Sequence, residues 1–486
     1  MKELSCGELH RHTKHEKPDV CLSCFLLLFD IIRVTTFFRG GLTMESINKL
    51  FDMERGYSLS QAIAEADRCL LCYDAPCSAG CPADTDPGKF IRKLRLKNLK
   101  GAIRTIKENN ILGGICGIVC PTKRLCEEKC SSTEIDRPIN IGKLQRFLIE
   151  YGWQIGFNPI IKKQSNSIHI AVIGSGPAGL SCAATLAKQG YSVTIFEKEK
   201  KPGGILRYGV PSFRLNDEFV DREINDVLAL GVKIKCNKAI KGNGAIEKLL
   251  KKGYKAVFVS TGLSIPYSLK IPGVNLKNVT TAQVFLRNAR NGNVRKLKLM
   301  VRNKNVAIIG GGSVAMDVAC TCKSLGAKRV YCIALESMKE LPADKDDLQM
   351  AIDNYVIIKP QAQVKEIIGR GGEVCGVRGT ETEWIKKGLL IPSNVREVPD
   401  TSFSLKVKAV IIAIGSAPDV KLKEQLPSVK FNKRDLIVVN KNTLETAKKG
   451  IYAGGDIVRG PARVIDAVAD GKLAAKSIMK NIEARR

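Results

Sequence analysis

At 486 residues, 44% hydrophobic and 26% charged, the chain has the length of about three ordinary globular domains, and a mean hydropathy of -0.05 excludes a polytopic membrane protein and a largely disordered chain. Lysine and arginine outnumber the acids 78 to 48, a net charge of +30, which leaves nucleic acid, an acidic partner or plain lysine-rich usage open. All four histidines lie at positions 10, 12, 15 and 169, so histidine chemistry is excluded from residues 170–486.

Residues 1–43 differ from the rest. A His/Lys-rich start leads into Phe25-Leu26-Leu27-Leu28-Phe29, interrupted soon after by Asp30 and Arg33. That run is too short to span a bilayer, and no small-x-small cleavage site follows it. The expectation is that translation begins at Met44 and that 1–43 form no packed structure.

Eight of the seventeen cysteines fall between Cys69 and Cys130. Clustering of this kind in a large chain points to bound metal rather than disulfides. From Ser58 the spacing of Leu59, Ile63, Ala66 and Leu70 predicts a helix that delivers Cys69 and Cys72 at its C-terminal end. Further helices are predicted over about 88–108 and 141–152, making 44–160 a small α-helical cysteine domain. Between Lys89 and Lys107 stand eight basic residues and no acid, with Phe90, Ile91, Leu94, Ile103 and Ile106 available for burial. This reads as a solvated basic face, and Lys93 and Lys97 on it as candidates for steering an acidic partner.

After a polar linker at 161–167, a strand over 168–173 runs into Gly174-Ser175-Gly176-Pro177-Ala178-Gly179, a helix, and a second strand ending on Glu197. Gly174 permits the tight turn, Gly176 the approach of a pyrophosphate, and Gly179 close helix packing, while the acid suits ribose hydroxyls. The same grammar returns 136 residues on, at Gly310-Gly311-Gly312-Ser313-Val314-Ala315, with Glu336 at the end of its second strand. A carboxylate there binds the ribose of NAD and repels the 2′-phosphate of NADP. Two dinucleotide folds are therefore expected, and a further loop, Gly455-Asp456, stands near the C-terminus.

Cys320 and Cys322 are two apart on a predicted helix and cannot pair, so no dithiol exit for electrons is visible. The N-terminal spacing, Cys69-x2-Cys72-x4-Cys77-x3-Cys81-Pro82 and Cys116-x3-Cys120-Pro121-x4-Cys126-x3-Cys130, suits iron-sulfur clusters or two structural zinc ions. A redox nucleotide fold in the same chain favours iron-sulfur, because a hydride must be divided into single electrons.

The two loops with Glu197, Thr261-Gly262 and Gly455-Asp456 resemble the flavin reductases with two nested dinucleotide domains. That resemblance implies FAD at the first loop and at Asp456, and a nicotinamide nucleotide at the second. Together, Cys69-Leu-Leu-Cys-Tyr-Asp-Ala-Pro-Cys77, Pro87-Gly-Lys-Phe-Ile91, Asn109-Asn110, Cys120-Pro-Thr-x-x-x-Cys126 and Pro138-Ile-Asn-Ile-Gly142 resemble the iron-sulfur flavoprotein family of dihydropyrimidine dehydrogenase N-terminal regions, shared more loosely by glutamate synthase small subunits. The likeness implies one [4Fe-4S] cluster on Cys69, Cys72, Cys77 and Cys130, and a second on Cys81, Cys120, Cys126 and Gln145, with Cys116 spare. It also implies FAD contacts at Gly204, Ile205 and Arg214, and a nicotinamide-side contact at Ala413-Ile414-Gly415. Glutamate synthase small subunits carry Tyr-Arg-Arg where this chain has Ala334-Leu335-Glu336.

The expected architecture is α/β: two nested Rossmann-like domains, FAD over 165–290 and 405–486 and NAD over 291–404, behind the double-cluster domain. The expected function is a cytoplasmic electron-input subunit. It takes NADH electrons through FAD and two [4Fe-4S] clusters to a separate FMN- and iron-sulfur-containing catalytic subunit that reduces uracil or thymine. No nucleic-acid or membrane partner is expected. The alternatives are a glutamate synthase small subunit, an NAD(P)H:ferredoxin oxidoreductase subunit and, from another class, a basic zinc-cluster protein binding nucleic acid.

Overall fold

The computed structural model describes residues 55–484; the expected start at Met44 and the segment 1–43 lie outside the described residues. Ser58 opens helix α1 (Leu59–Asp67): its hydroxyl accepts from Gln61 N while the Gln61 side chain accepts from Ser58 N. This capping box satisfies two otherwise free amides and leaves Cys69 and Cys72 just beyond the helix, as their spacing predicts. Cys77 sits on the single turn α2 (Pro76–Ala79).

The one helix expected over 88–108 is two, α3 (Pro87–Arg95) and α4 (Leu99–Asn109). Asn98 stops the first and starts the second, accepting from Gly101 N at 2.8 Å, while Lys97 turns left-handed at φ 58°. Asparagine bonds its own neighbouring backbone more readily than it continues a helix. Helices α5 (Gly113–Val119) and α6 (Ile141–Gln154) complete the domain. Phe90, Ile91, Leu94, Ile103 and Ile106 are all buried, packed with Leu144 and Leu148.

The solvated-face reading fails at two positions. Lys107 is buried and ion-paired with Glu223 and Asp226, and Lys93 donates to Thr105 Oγ1 at 2.8 Å and Gly101 O at 3.2 Å.

The first nucleotide fold runs β1 (His169–Ile173), α7 (Pro177–Lys188), β2 (Ser192–Phe196), α8 (Asp217–Ala229), β3 (Lys233–Lys235) and β4 (Ala256–Val259). With β15 (Ile451–Ala453) these strands form a five-stranded sheet of order β15-β4-β1-β2-β3, every pairing parallel. The last four residues of β1 and of β2 are all buried, as a sheet covered on both faces requires. The C-terminal helix, which follows a one-turn helix at Asp456–Arg459, spans Val464–Glu483 and packs against α7.

The second fold comprises β6 (Val279–Thr281), α9 (Ala282–Arg290), β7 (Asn305–Ile309), α10 (Ser313–Ser324), β8 (Arg329–Ile333), α11 (Lys345–Asp353), β9 (Ile357–Lys359) and β13 (Ala409–Ile412), in sheet order β6-β13-β7-β8-β9. An antiparallel sheet of β10 (Ala362–Arg370), β11 (Glu373–Trp384) and β12 (Val395–Leu405) lies between β9 and β13 in the chain. The expected limits 291–404 are too narrow. Strand β13 pairs with β7 and β6, from Ala409 beside Val306 to Ile412 beside Ile309 and Thr281. The insertion therefore runs from the two-stranded link β5 (Ile265–Pro266) to its partner β14 (Ser416–Ala417).

The cysteine domain and the first nucleotide fold share a core. Ala83, Leu112, Ile115 and Leu125 lie in one apolar cluster with Leu180, Phe219, Val220 and Val468. Among the described residues no helix is long and apolar enough to cross a membrane.

Candidate functional site

The eight clustered cysteines divide between two cavities. Cys69, Cys72, Cys77 and Cys130 line one, whose walls come only from the cysteine domain. Cys81, Cys120, Cys126, Gln145 and also Cys116 line the other, together with Ile465 near the start of the C-terminal helix. Cys69, Cys72, Cys77 and Cys130 thus share one cavity, and Cys81, Cys120, Cys126 and Gln145 share the other, with Cys116 beside them.

Burial pushes the Cys77 thiol up to about 11, helped by Cys130 and Cys69 nearby. It also raises Cys69 and Cys126. Cys120 is raised by its hydrogen bond to Cys116 and by burial. Such thiols become thiolates only beside a strong positive centre. Four cysteines gathered around one cavity are the donor set of an iron-sulfur cluster. Gln145 is buried, and its amide nitrogen donates to Gly113 O, which leaves its carbonyl oxygen as the atom able to ligate.

The first glycine loop has the three expected features. Gly174 has φ 98°, and a Cβ there would stand 2.6 Å from Ser260 O. A Cβ on Gly176 would meet nothing within 4 Å, so that face of the loop is open for a phosphate, while one on Gly179 would run into Gly174 O. Pro177 and Ala178 open α7. Gly204 lies against Gly176, with a Cβ there 2.9 Å from its Cα, and a Cβ on Gly455 would lie 3.2 Å from that of Ala178. The structure thus brings 174–179, 203–205 and 455–456 together, with Ile205 half exposed.

Burial raises the Asp456 carboxyl to about 6. Asp470 fixes the neighbouring loop, accepting from Gly455 N and Arg459. Glu197 is more committed than the sequence implied. Its Oε2 accepts from Ser175 N at 2.9 Å and from Ser175 Oγ, and its Oε1 accepts from Glu199 N.

At the second loop Gly310 has φ 137° and packs against Ala413 O at the end of β13. This sets Ala413, Ile414 and Gly415 beside the loop. Gly312 faces open space, and the Glu336 carboxylate lies 3.2 Å from the Cβ position of Gly311. Val314 is half exposed and Ala315 buried at the start of α10, and Ser313 Oγ accepts from Asp344 N. Cys320 and Cys322 are free and buried.

Arg214 departs from expectation. Its guanidinium pairs with Asp317 on α10 and Asp347 on α11, at 2.5 and 2.7 Å, and so joins the two nucleotide folds. Burial pushes Asp317 up to about 7, with Asp347 adding to it and Arg214 opposing. One atom, Arg214 Nη2, is buried without a partner among the described residues.

Sequence reasoning missed Glu223, whose carboxylate accepts from Gly114 N and Ile115 N at the start of α5 and from Lys107. An acid in the apolar phase of α8 was its only signal. It also missed Lys123 and Arg124, which tie the second cysteine loop to Asp346 and Asp344 of the inserted fold. Partners more than 200 positions away carry no local pattern.

Residues 46–157 match the family described as dihydropyrimidine dehydrogenase domain II, 4Fe-4S cluster. Residues 168–471 match the pyridine nucleotide-disulphide oxidoreductase family. The chain belongs to this flavoprotein oxidoreductase family. It is 37% identical over 442 residues to the NAD-dependent dihydropyrimidine dehydrogenase subunit PreT of Salmonella typhimurium, covering 90% of this chain and 99% of that protein. Against the small chain of glutamate synthase [NADPH] from Escherichia coli it is 29% identical over 439 residues, 88% of this chain and 93% of the other.

Among solved structures, FprA of Mycobacterium tuberculosis (His57Gln mutant) superposes with a TM-score of 0.54 at 17% identity, over 65% of this chain and 85% of that one. Thioredoxin reductase of T. acidophilum gives 0.50 at 22% identity, over 65% and 98%. Both support the nested two-domain fold of this oxidoreductase family.

Proposed function

We propose that this chain is the electron-input subunit of an NAD-dependent dihydropyrimidine dehydrogenase. It takes electrons from NADH and delivers them to a separate subunit, rich in FMN and iron-sulfur centres, that reduces uracil or thymine. Bound FAD and two [4Fe-4S] clusters supply the conversion of a hydride into single electrons. The chain's own residues hold and order them. The first loop with Gly204 and Asp456 takes the flavin nucleotide, and the second loop with Glu336 takes NADH. Cys69, Cys72, Cys77 and Cys130 take one cluster, and Cys81, Cys120, Cys126 and Gln145 the other.

The observation that carries this reading is the placing of the two cavities. The second is walled by Ile465, nine residues after Asp456, and the first by the cysteine domain alone, a succession from nucleotide fold to outer domain. Residues 170–486 offer no histidine to deliver a proton to a pyrimidine. The working place is the cytoplasm, where such clusters are assembled.

Anaerobically purified protein should contain about eight iron, as two four-iron clusters require, with one FAD and no stoichiometric zinc. It should reduce dyes with NADH but leave uracil untouched until the catalytic subunit is added. Uracil reduction by the chain alone, or coupling only to a glutamate synthase large subunit, would overturn the proposal.

Nucleotide choice rests on Glu336. NADH should be preferred by kcat/KM, and Glu336→Arg should narrow or reverse the preference, since it replaces a repelling carboxylate with a phosphate partner. Equal use of both nucleotides by the unaltered chain would remove Glu336 from that role.

A further inference from the structure

The walls of the first cysteine cavity end in bare apolar side chains. Leu70 and Leu71 line the cavity itself, and the adjoining Tyr73 is 97% exposed. Leu96 and Ile135, on either flank, are 72% and 74% exposed.

These residues belong to one surface because the backbone ties them together. Arg92 Nη2 donates to Cys72 O at 3.3 Å and Arg95 Nη1 to Cys69 O at 2.7 Å, which brings Leu96 alongside the cysteine loop. On the other side Arg68 holds Arg137 O and Asp136, and Ser131 Oγ lies 3.5 Å from Cys72 Sγ, which brings Ile135 there. The loop is fixed rather than loose: Leu71 and Ala75 sit at φ 55° and 35°, conformations that L-residues keep only when their surroundings hold them.

An exposed tyrosine among aliphatic residues is the composition of an interface centre, not of ordinary surface. The charge around it states the partner's sign. Of the basic residues over 89–107, Lys93 and Lys107 point inward to their own partners. Arg92, whose guanidinium reaches Cys72 O, Lys89 on the same helix and Lys97 beside Leu96 are exposed. Asp67 and Asp136 are already held by Arg95 and Arg68, so Asp74 and Glu134 are the exposed unpaired acids left at the rim among the described residues.

We infer that the surface of Tyr73, Leu96 and Ile135 is the docking site at which electrons leave the chain, and that it receives an acidic iron-sulfur protein. This rests on the function proposed above and adds where the partner sits. The apolar centre excludes water beside the outer cysteine site, while the basic rim orients the approach.

The test uses full-length holoprotein carrying Tyr73→Glu, Leu96→Glu or Ile135→Glu. Because these side chains are exposed, iron, flavin and NADH-dependent dye reduction should stay at the unaltered level. Coupling to the uracil-reducing subunit should fall by about tenfold or more in each variant, as loss of an interface anchor does. Undiminished coupling in the variants, with the unaltered chain active, overturns the docking site and leaves the proposed function standing.

If the unaltered chain drives no uracil reduction with that subunit, the proposed function fails. The surface is then decided with an acidic two-cluster ferredoxin as acceptor. A similar fall in its reduction upholds the site; an unchanged rate, or no reduction even by the unaltered chain, overturns it.

Discussion

Glu223→Ala should lower the stability of the holoprotein by about 3–5 kcal/mol, the cost of breaking a buried ion pair by removing one partner. Glu223 has no exposed side-chain surface and Lys107 almost none, with 2.9 Å between Nζ and Oε1. Asp226 takes the same ammonium at 2.7 Å, and burial raises the Glu223 carboxyl against the pull of Lys107 and the backbone amides. Alanine would leave Gly114 N and Ile115 N without their carboxylate acceptor at a fully buried position. Those amides begin the helix that carries Cys116 and leads directly into Cys120. Iron retention at the second site should therefore fall together with the urea midpoint. Glu223→Gln should lose less, since its carbonyl can still accept from one amide. The double substitution Lys107→Met with Glu223→Leu should recover part of the loss, because a buried pair can be replaced by apolar groups at small cost. A midpoint unchanged in Glu223→Ala would show that the pair contributes nothing to joining the cysteine domain to the first nucleotide fold.

That pair also shows where sequence reading stops. The glycine loops were legible because each glycine answers a local need: a positive φ at Gly174 and Gly310, an open face at Gly176 and Gly312, and close packing at Gly179. The same holds for the α1 cap, where Ser58 and Gln61 are three apart. Interactions between distant segments left no such trace. Lys107 looked like one cation on a basic helix because its acids lie more than 100 positions away. Arg214 resembled a flavin contact, yet two of its nitrogens serve the inserted fold. The insertion limits were misplaced for a related reason. Strands β6 and β13 are three and four residues long, and a short apolar run does not state which of two similar sheets it joins.

The grouping of cysteines leads to the second large effect. Cys77→Ser and Cys126→Ser should each reduce iron from about eight to about four per chain, because each removes one thiolate from a different cavity. FAD should stay bound in both, since 174–179 and 455–456 lie in another part of the fold, and NADH-dependent dye reduction at the flavin should persist. The two variants should part in how their remaining iron is reduced. In Cys77→Ser the surviving site is the one walled by Ile465 of the C-terminal helix, close to the flavin loop, and NADH should still bleach its absorbance. In Cys126→Ser the surviving site touches no residue of the nucleotide folds. Dithionite should reduce it readily, and NADH only very slowly, because the intervening carrier is gone. Rapid-mixing absorbance with each reductant reads this directly. Rapid NADH bleaching in Cys126→Ser would mean that the outer site receives electrons without the inner one, and that the order read from the cavity walls is wrong. Unequal helix content by circular dichroism would instead show that Cys126 is needed for the domain to fold, and iron analysis of Cys120→Ser would then decide whether the second cavity holds a cluster at all.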